Sequence, residues 1–457
     1  GAHAASFFAA NGHIVDGCAI LGRGHWIEEA TRELRQGVGK LVAQSEMERD
    51  NIGIYFNFSN YQLAWILAKT RGWDWLSRLK ADGKASIERV LMDLGYTPLF
   101  ITDQMIEKGV LNDLDLVILN GAISLPDATA SAFERFVKQK GGTLVADVIP
   151  GVYTADGVPR ETGCLDHLFG VARGTLDITM RPPSYTLGMT PGEPMTTLPP
   201  EWMRVSILEN NSRAAGATAL GQHHTQDRPK PIFATSPGKG KTLYMNAMDT
   251  MYLLTADDRH RAVWAGILQA AEIKRTIRVE KDGEWLPYYD IKRFTRGNAK
   301  YLGIIRSPRF GTRLPAEVEV SFPETSHIYN VRDHRYAGQT RRADATLAPA
   351  EPALFACLPA RIEGLNIRVD NTTVSPGGRL TVSTRIQADE PLDGVVRMDV
   401  VRPDGTTSHA LTQNIRYKNN DARVVLPMAL NAQTGPWQIT VQEVVSGKVQ
   451  TVTVTVQ

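Results

Sequence analysis

From Trp26 to Val42 the apolar residues Ile27, Ala30, Leu34, Val38 and Leu41 return at every third or fourth position, which predicts one amphipathic helix over 26–42. A stripe of that kind needs a surface to cover it. Residues 1–24 offer only SFFAA, a glycine-rich turn and one short strand, too little for a core. The helix therefore reads as the last element of a domain that begins before residue 1.

After the polar break SEMERD the pattern changes to alternating strands and helices, the rhythm of an open α/β sheet. Strands are expected at Ile52–Phe58, Pro98–Ile101, Leu114–Asn120 and Thr143–Asp147. Between them lie a helix carrying Ile87, Val90, Leu91 and Leu94, stopped by Gly95, and another opened by Pro126, carrying Phe133, Phe136 and Val137 and ended by Gly141 and Gly142. Crossovers of this length favour right-handed parallel units. Residues 174–230, rich in Pro and Thr, read as a β insert. IFATSPGKGKTLYMN then predicts two strands around a glycine turn, and RHRAVWAGILQAAEI a closing helix.

Beyond Lys274 the pattern is all strand. EVEVSF, HIYNVRD and LFACLP precede a boundary at Pro359, and the last hundred residues alternate at Leu380, Val382, Ile386, then Val396, Met398, Val400, then Trp437, Ile439, Val441. That alternation, with turns at SPGG, PDG and SGK, is the pattern of an antiparallel sandwich. The expected division is 1–45, a remnant carrying the helix 26–42; 46–274, an α/β domain with the insert 174–230; 275–360, a β-sandwich; and 361–457, an Ig-like sandwich.

Composition adds exclusions more than identity. The 51 basic and 49 acidic residues among 457 are interspersed, leaving a net charge of +2, which argues against nucleic acid and against a membrane surface as partners. No apolar run is long enough to span a bilayer. Cys18, Cys164 and Cys357 stand far apart, without zinc spacing. No metal or cofactor is expected, and the compartment, cytoplasmic or exported, is left open.

EATRELRQGVGKLVAQ followed by NIGIYFNFSN resembles the junction between the catalytic barrel and the second domain of family 42 glycoside hydrolases, the β-galactosidases and their relatives. DLDLVILNGAISLPDATASAFERFVKQKGGTLVAD and GCLDHLFGV are similar to that second domain, and the resemblance covers residues 1 to about 360. It implies a flavodoxin-like, class I glutamine amidotransferase-like open sheet, the trimerisation domain of the family, followed by a β-sandwich; with the Ig-like sandwich 361–457, which lies outside the resemblance and rests on its alternation alone, the expected fold is multidomain α/β plus all-β, an open sheet followed by two β-sandwich domains. The helix 26–42 would then close a (β/α)₈ barrel lying upstream, with both catalytic carboxylates delivered from that barrel. The acid/base of the family sits in an Asn-Glu pair, and no such dipeptide occurs in these residues. The resemblance thus implies a non-catalytic region of a glycoside hydrolase, self-associating through the α/β domain, frequently as a trimer, with a carbohydrate-binding or surface-attachment module as the alternative and an independent amidase as a more distant one.

Each candidate chemical group has a plainer reading beside it. True amidotransferases carry Cys on a strand-to-helix elbow; the corresponding stretch, Asp147, Val148, Ile149 and Pro150, has none, and Cys164 with His167 reads as packing. PGKGKT evokes a phosphate loop but lacks its first glycine, and a hairpin turn is favoured. His223, His224 and Asp227 read as a solvated loop before a metal site. Trp73 and Trp75 suit aromatic plugs or a subunit contact first and a sugar-stacking surface second. Asn57–Ser59 reads as a connector at a strand end, where α/β folds bind ligands. His3, Phe7, Phe8 and His13 are placed beside the active site of the parent barrel by analogy alone. No catalytic residue is assigned.

Overall fold

The structure, a computed structural model, describes residues 29, 31–43, 45–71, 74–174, 178–209, 211–223, 232–248, 252–286, 288–307 and 314–457, with side chains described outside 71–82, 178–186, 206–208 and 222–223. Within these the chain is mixed α/β and carries several β-sheets.

Five parallel strands form the heart of the first half. With Glu46–Glu48 as β1, they are Ile52–Tyr55 (β2), Leu99–Ile101 (β3), Leu116–Leu119 (β4), Thr143–Ala146 (β5) and Lys241–Tyr244. Across the sheet they run β3, β2, β4, β5 and then 241–244, with Phe233–Thr235 and Thr218–Ala219 added antiparallel at that edge. Every residue of β2, β4 and β5 is buried, as expected of parallel strands with helices on both faces. Ile52, Ile54, Ile118 and Val145 share one cluster with Ile87, Val90 and Leu91 of the helix Asp74–Asp93 and with Val263, Ile267 and Leu268 of the helix Asp258–Ala270. Tyr55, Val117, Leu119 and Leu144 point the other way, into a cluster with Phe133, Phe136 and Val137. Period-two strands thus feed two helical layers.

The insert is β structure: Ile178–Gly188 and Trp202–Glu209 pair antiparallel in a four-stranded sheet with short strands at its edges. PGKGKT lies in the turn joining Phe233–Thr235 to Lys241–Tyr244, with Gly238 at φ +71°, so it is a hairpin turn.

The second half begins with an eight-stranded antiparallel sheet whose longest strand, Ala316–Asn330, joins EVEVSF and HIYN across a bulge, the following VRD forming a turn. β1, part of the supposed break SEMERD, pairs with Tyr289–Arg296 at the edge of this sheet. Three strands, Gly364–Val369, Arg379–Gln387 and Asp421–Pro427, form one further sheet and five strands within 373–456 another. Leu380, Val382 and Ile386 from the first share a cluster with Met398, Trp437 and Ile439 from the second, and the same cluster reaches Tyr301, Tyr329 and Leu358 of the eight-stranded sheet.

The expected continuous helix 26–42 is corrected. Positions 31–33 are helical, but the run breaks at Gly37, which has φ +122°. A β-carbon there would overlap Val444 Cγ2, so the glycine is required both by its backbone angle and by close approach. The stripe is split accordingly: Leu34 is 51% exposed and Leu41 fully buried. Leu41 joins the cluster of the C-terminal sheets. Lys40 Nζ donates to the Asn414 carbonyl at 2.7 Å, and Asn414 Nδ2 donates to the Arg35 carbonyl at 2.8 Å. Leu41, with Val38 and Val42 beside it, is therefore covered by the C-terminal strands of the same chain, whereas Leu34 is not.

Candidate functional site

In an open parallel sheet, ligands and catalytic groups gather at the carboxyl ends of the strands, beside the place where strand order reverses. Here the order reverses at β2, between β3 and β4. The residues leaving β2, β4, β5 and Lys241–Tyr244 on that side are Asn57, Asn120, Asp147 and Asn246, all buried.

Asp147 is the focus. Its carboxylate accepts from Asn120 Nδ2 at 2.7 Å, from the Gly121 amide at 2.9 Å and from the Val148 amide at 2.6 Å. Burial nevertheless dominates these donors and raises its pKa to about 7. Lys84, from the helix Asp74–Asp93, is the neighbouring cation. Its ammonium lies 4.9 Å from the Phe56 ring centre and 4.6 Å from that of Tyr61. Burial lowers it to about 8, with the Asp147 charge acting in the opposite sense. Burial thus pushes a carboxyl up and an amine down toward neutrality at the carboxyl ends of the parallel strands. Gly83 makes room for this: a β-carbon there would press on Asn120 and on Met248 Sδ.

Two residues beyond Asp147 the chain turns sharply. Ile149 has φ +40°, a left-handed conformation rare for a β-branched residue. Its amide donates to the Tyr244 hydroxyl at 3.2 Å, and that hydroxyl donates to Glu209 Oε2 at 2.6 Å. Arg173 continues the chain, 3.5 Å from Glu209 Oε2 and donating from Nε to Asp166 Oδ1 at 3.2 Å. This is a buried polar network tying the elbow to the insert.

Asn57 serves the scaffold. Its side chain accepts from the Ser59 amide at 2.7 Å, at the first turn of the helix Phe58–Arg71, and donates to Asp103 Oδ2 at 3.0 Å. Tyr55 and Thr129 donate to the other oxygen of Asp103. Cys164 packs with the apolar cluster beneath β4 and β5, and burial pushes its thiol up to about 11. His167 turns away to Glu134, 3.4 Å from Nε2 to Oε1. Among the described residues, therefore, no nucleophile faces a base at the elbow, and no cluster of metal-ligating side chains is formed.

Trp75 lies on the helix Asp74–Asp93 in the stretch whose side chains are not described; His3, Phe7, Phe8, His13, Trp73, His224 and Asp227 fall outside the described residues, and His223 has only its strand backbone described. Lys84, Asn120 and Tyr244 were not singled out from sequence. The signal available was a lysine following Gly83 inside an otherwise amphipathic helix, and Asn120 directly after a buried strand.

No family model matches the chain, and no curated protein does. Two solved structures follow the same path: Gan42B, a GH42 β-galactosidase, at 13% identity with a TM-score of 0.50, and the cold-adapted β-galactosidase of Rahnella sp. R3, at 16% identity with a TM-score of 0.51. Each match covers 68% of this chain, and the chain spans 40% and 41% of theirs respectively. At that identity the likeness is one of fold: about two thirds of this chain is built like part of a GH42 β-galactosidase.

Proposed function

We propose that this chain is a glycoside hydrolase-related protein whose described residues form a non-catalytic region of a family 42-like enzyme, serving assembly and support of an active site rather than the hydrolysis itself. The observation that carries this reading is Ile149. The strand order β3, β2, β4, β5, 241–244 supports the flavodoxin-like part of this reading. The sharp left-handed turn after its fourth strand is where amidotransferase-like folds present their nucleophile, and here it presents a buried isoleucine. An elbow kept in shape without its reactive atom fits a scaffold. In this reading residues 46–274 are the trimerisation-type domain, 275–360 a sandwich and 361–457 an Ig-like sandwich.

Self-association is supported by the helix Phe58–Arg71. Phe58, Trp65 and Ile66, spaced seven and eight residues from the first, are 67%, 61% and 47% exposed on one side of it. The experiment is an assay of this chain with an aryl β-D-galactoside. No turnover is expected; enzymatic turnover by the chain alone would overturn the reading.

A further inference from the structure

The three-stranded sheet near the C-terminus buries one face and presents the other to solvent. Leu365, Leu380, Val382, Ile386, Ala422 and Leu426 point inward. The alternate positions point out, and strand register sets them in rows. Arg368 lies opposite Ser383, which lies opposite Arg423; in the next row Asn366 lies opposite Arg385, which lies opposite Asp421. Directly paired residues of a sheet share a face, so three arginines stand on one surface.

Their states differ. Arg385 is ion-paired to Asp421 at 2.5 Å. Arg368 and Arg423 are exposed, and among the described residues neither guanidinium has a hydrogen-bond or ion-pair partner. They flank the Ser383 hydroxyl two strand spacings apart, roughly 9–10 Å between their backbones. A shallow concavity of about 450 Å³ lies over these two rows.

We propose that this face binds an acidic polysaccharide, with Arg368 and Arg423 each holding a uronate carboxylate, Ser383 meeting a sugar hydroxyl between them and Asn366 another in the adjacent row. The planar guanidinium fork matches a carboxylate in two parallel hydrogen bonds, which an ammonium does not. The separation of the two arginines is comparable with one disaccharide unit of an extended chain. No aromatic ring lines the concavity, so the platform that stacks bases or neutral sugars is absent, and charge is the selecting feature. The opposite face is locked into the hydrophobic cluster shared with the eight-stranded sheet, so the rows are presented on a rigid support. The inference does not depend on whether the α/β part self-associates.

The test is calorimetric or electrophoretic titration of the full chain with polygalacturonate, with dextran, dextran sulfate and duplex DNA in parallel. The wild type should bind polygalacturonate, lose affinity as salt is raised, and ignore dextran. Arg368→Gln with Arg423→Gln should weaken binding on the order of tenfold, and Arg368→Lys with Arg423→Lys should fall between. Arg341→Gln with Arg342→Gln, on the distant strand Arg335–Leu347, should bind as the wild type does. The proposal is overturned by absence of polygalacturonate binding, by tighter binding of dextran sulfate or DNA, or by an equal loss in the distant pair. Melting curves of each variant separate loss of binding from loss of fold.

Discussion

The Ile149 amide donates to the Tyr244 hydroxyl at 3.2 Å while Ile149 itself stands at φ +40°. One hydrogen bond thus pins a strained turn to the adjacent strand and, through Glu209 and Arg173, to the insert. Strain of this sort persists only where the surroundings over-determine it.

The strain has a measurable sign. Ile149 is fully buried, so truncation to alanine should cost about 2–5 kcal/mol and leave the left-handed backbone in place. Ile149→Gly removes one carbon more yet releases about 1–2 kcal/mol of backbone strain. Urea denaturation should therefore rank Ile149→Gly at or above Ile149→Ala in stability, the reverse of the usual order.

Asp147 and Lys84 predict a trough in stability near neutral pH. Between 3.8 and about 7 the folded chain keeps a proton on Asp147 that the unfolded chain has released, so stability falls as pH rises. Between about 8 and 10.5 the unfolded chain keeps a proton on Lys84 that the folded chain lacks, so stability rises with pH. Chemical denaturation across this range should show the minimum at about pH 7–8. Asp147→Asn should flatten the acid limb and Lys84→Met the alkaline limb.

Leu34 and Leu41 separate the observed packing from the sequence expectation. Leu41→Ala should destabilise by about 2–5 kcal/mol because it opens the cluster beneath the C-terminal strands. Leu34→Ala should stay within about 0.5 kcal/mol, since half of that side chain is already in water. Thermal melting of the two variants checks this.

The parallel sheet was legible because β4 and most of β5 are short apolar runs followed by Gly and Pro signals and alternate with helical periods, the pattern of strands covered on both faces. β1 was not: Glu46, Met47 and Glu48 form an edge strand, and their half-exposed polar side chains look like a break. The kink at Gly37 was hidden for a different reason. Leu34, Val38 and Leu41 keep helical spacing on either side of it, and the cause of the break, Val444, lies about four hundred residues away. The same distance problem concealed the site. Asp147 was recognised as part of an elbow from its local phrase, but Lys84 and Tyr244 reach it through long-range packing that no local period records. The arginine rows were not read from the sequence: alternation at Leu380, Val382 and Ile386 gave the faces of the middle strand alone, and only register placed Arg368 and Arg423 on either side of Ser383.

The central claim is that the α/β part is an assembly scaffold, and the molar mass of the chain in solution tests it most directly. Static light scattering should give a multiple of the monomer mass, with Phe58→Asp and Trp65→Asp together returning it to the monomer. A monomer at every concentration, unchanged by those substitutions, would contradict the account.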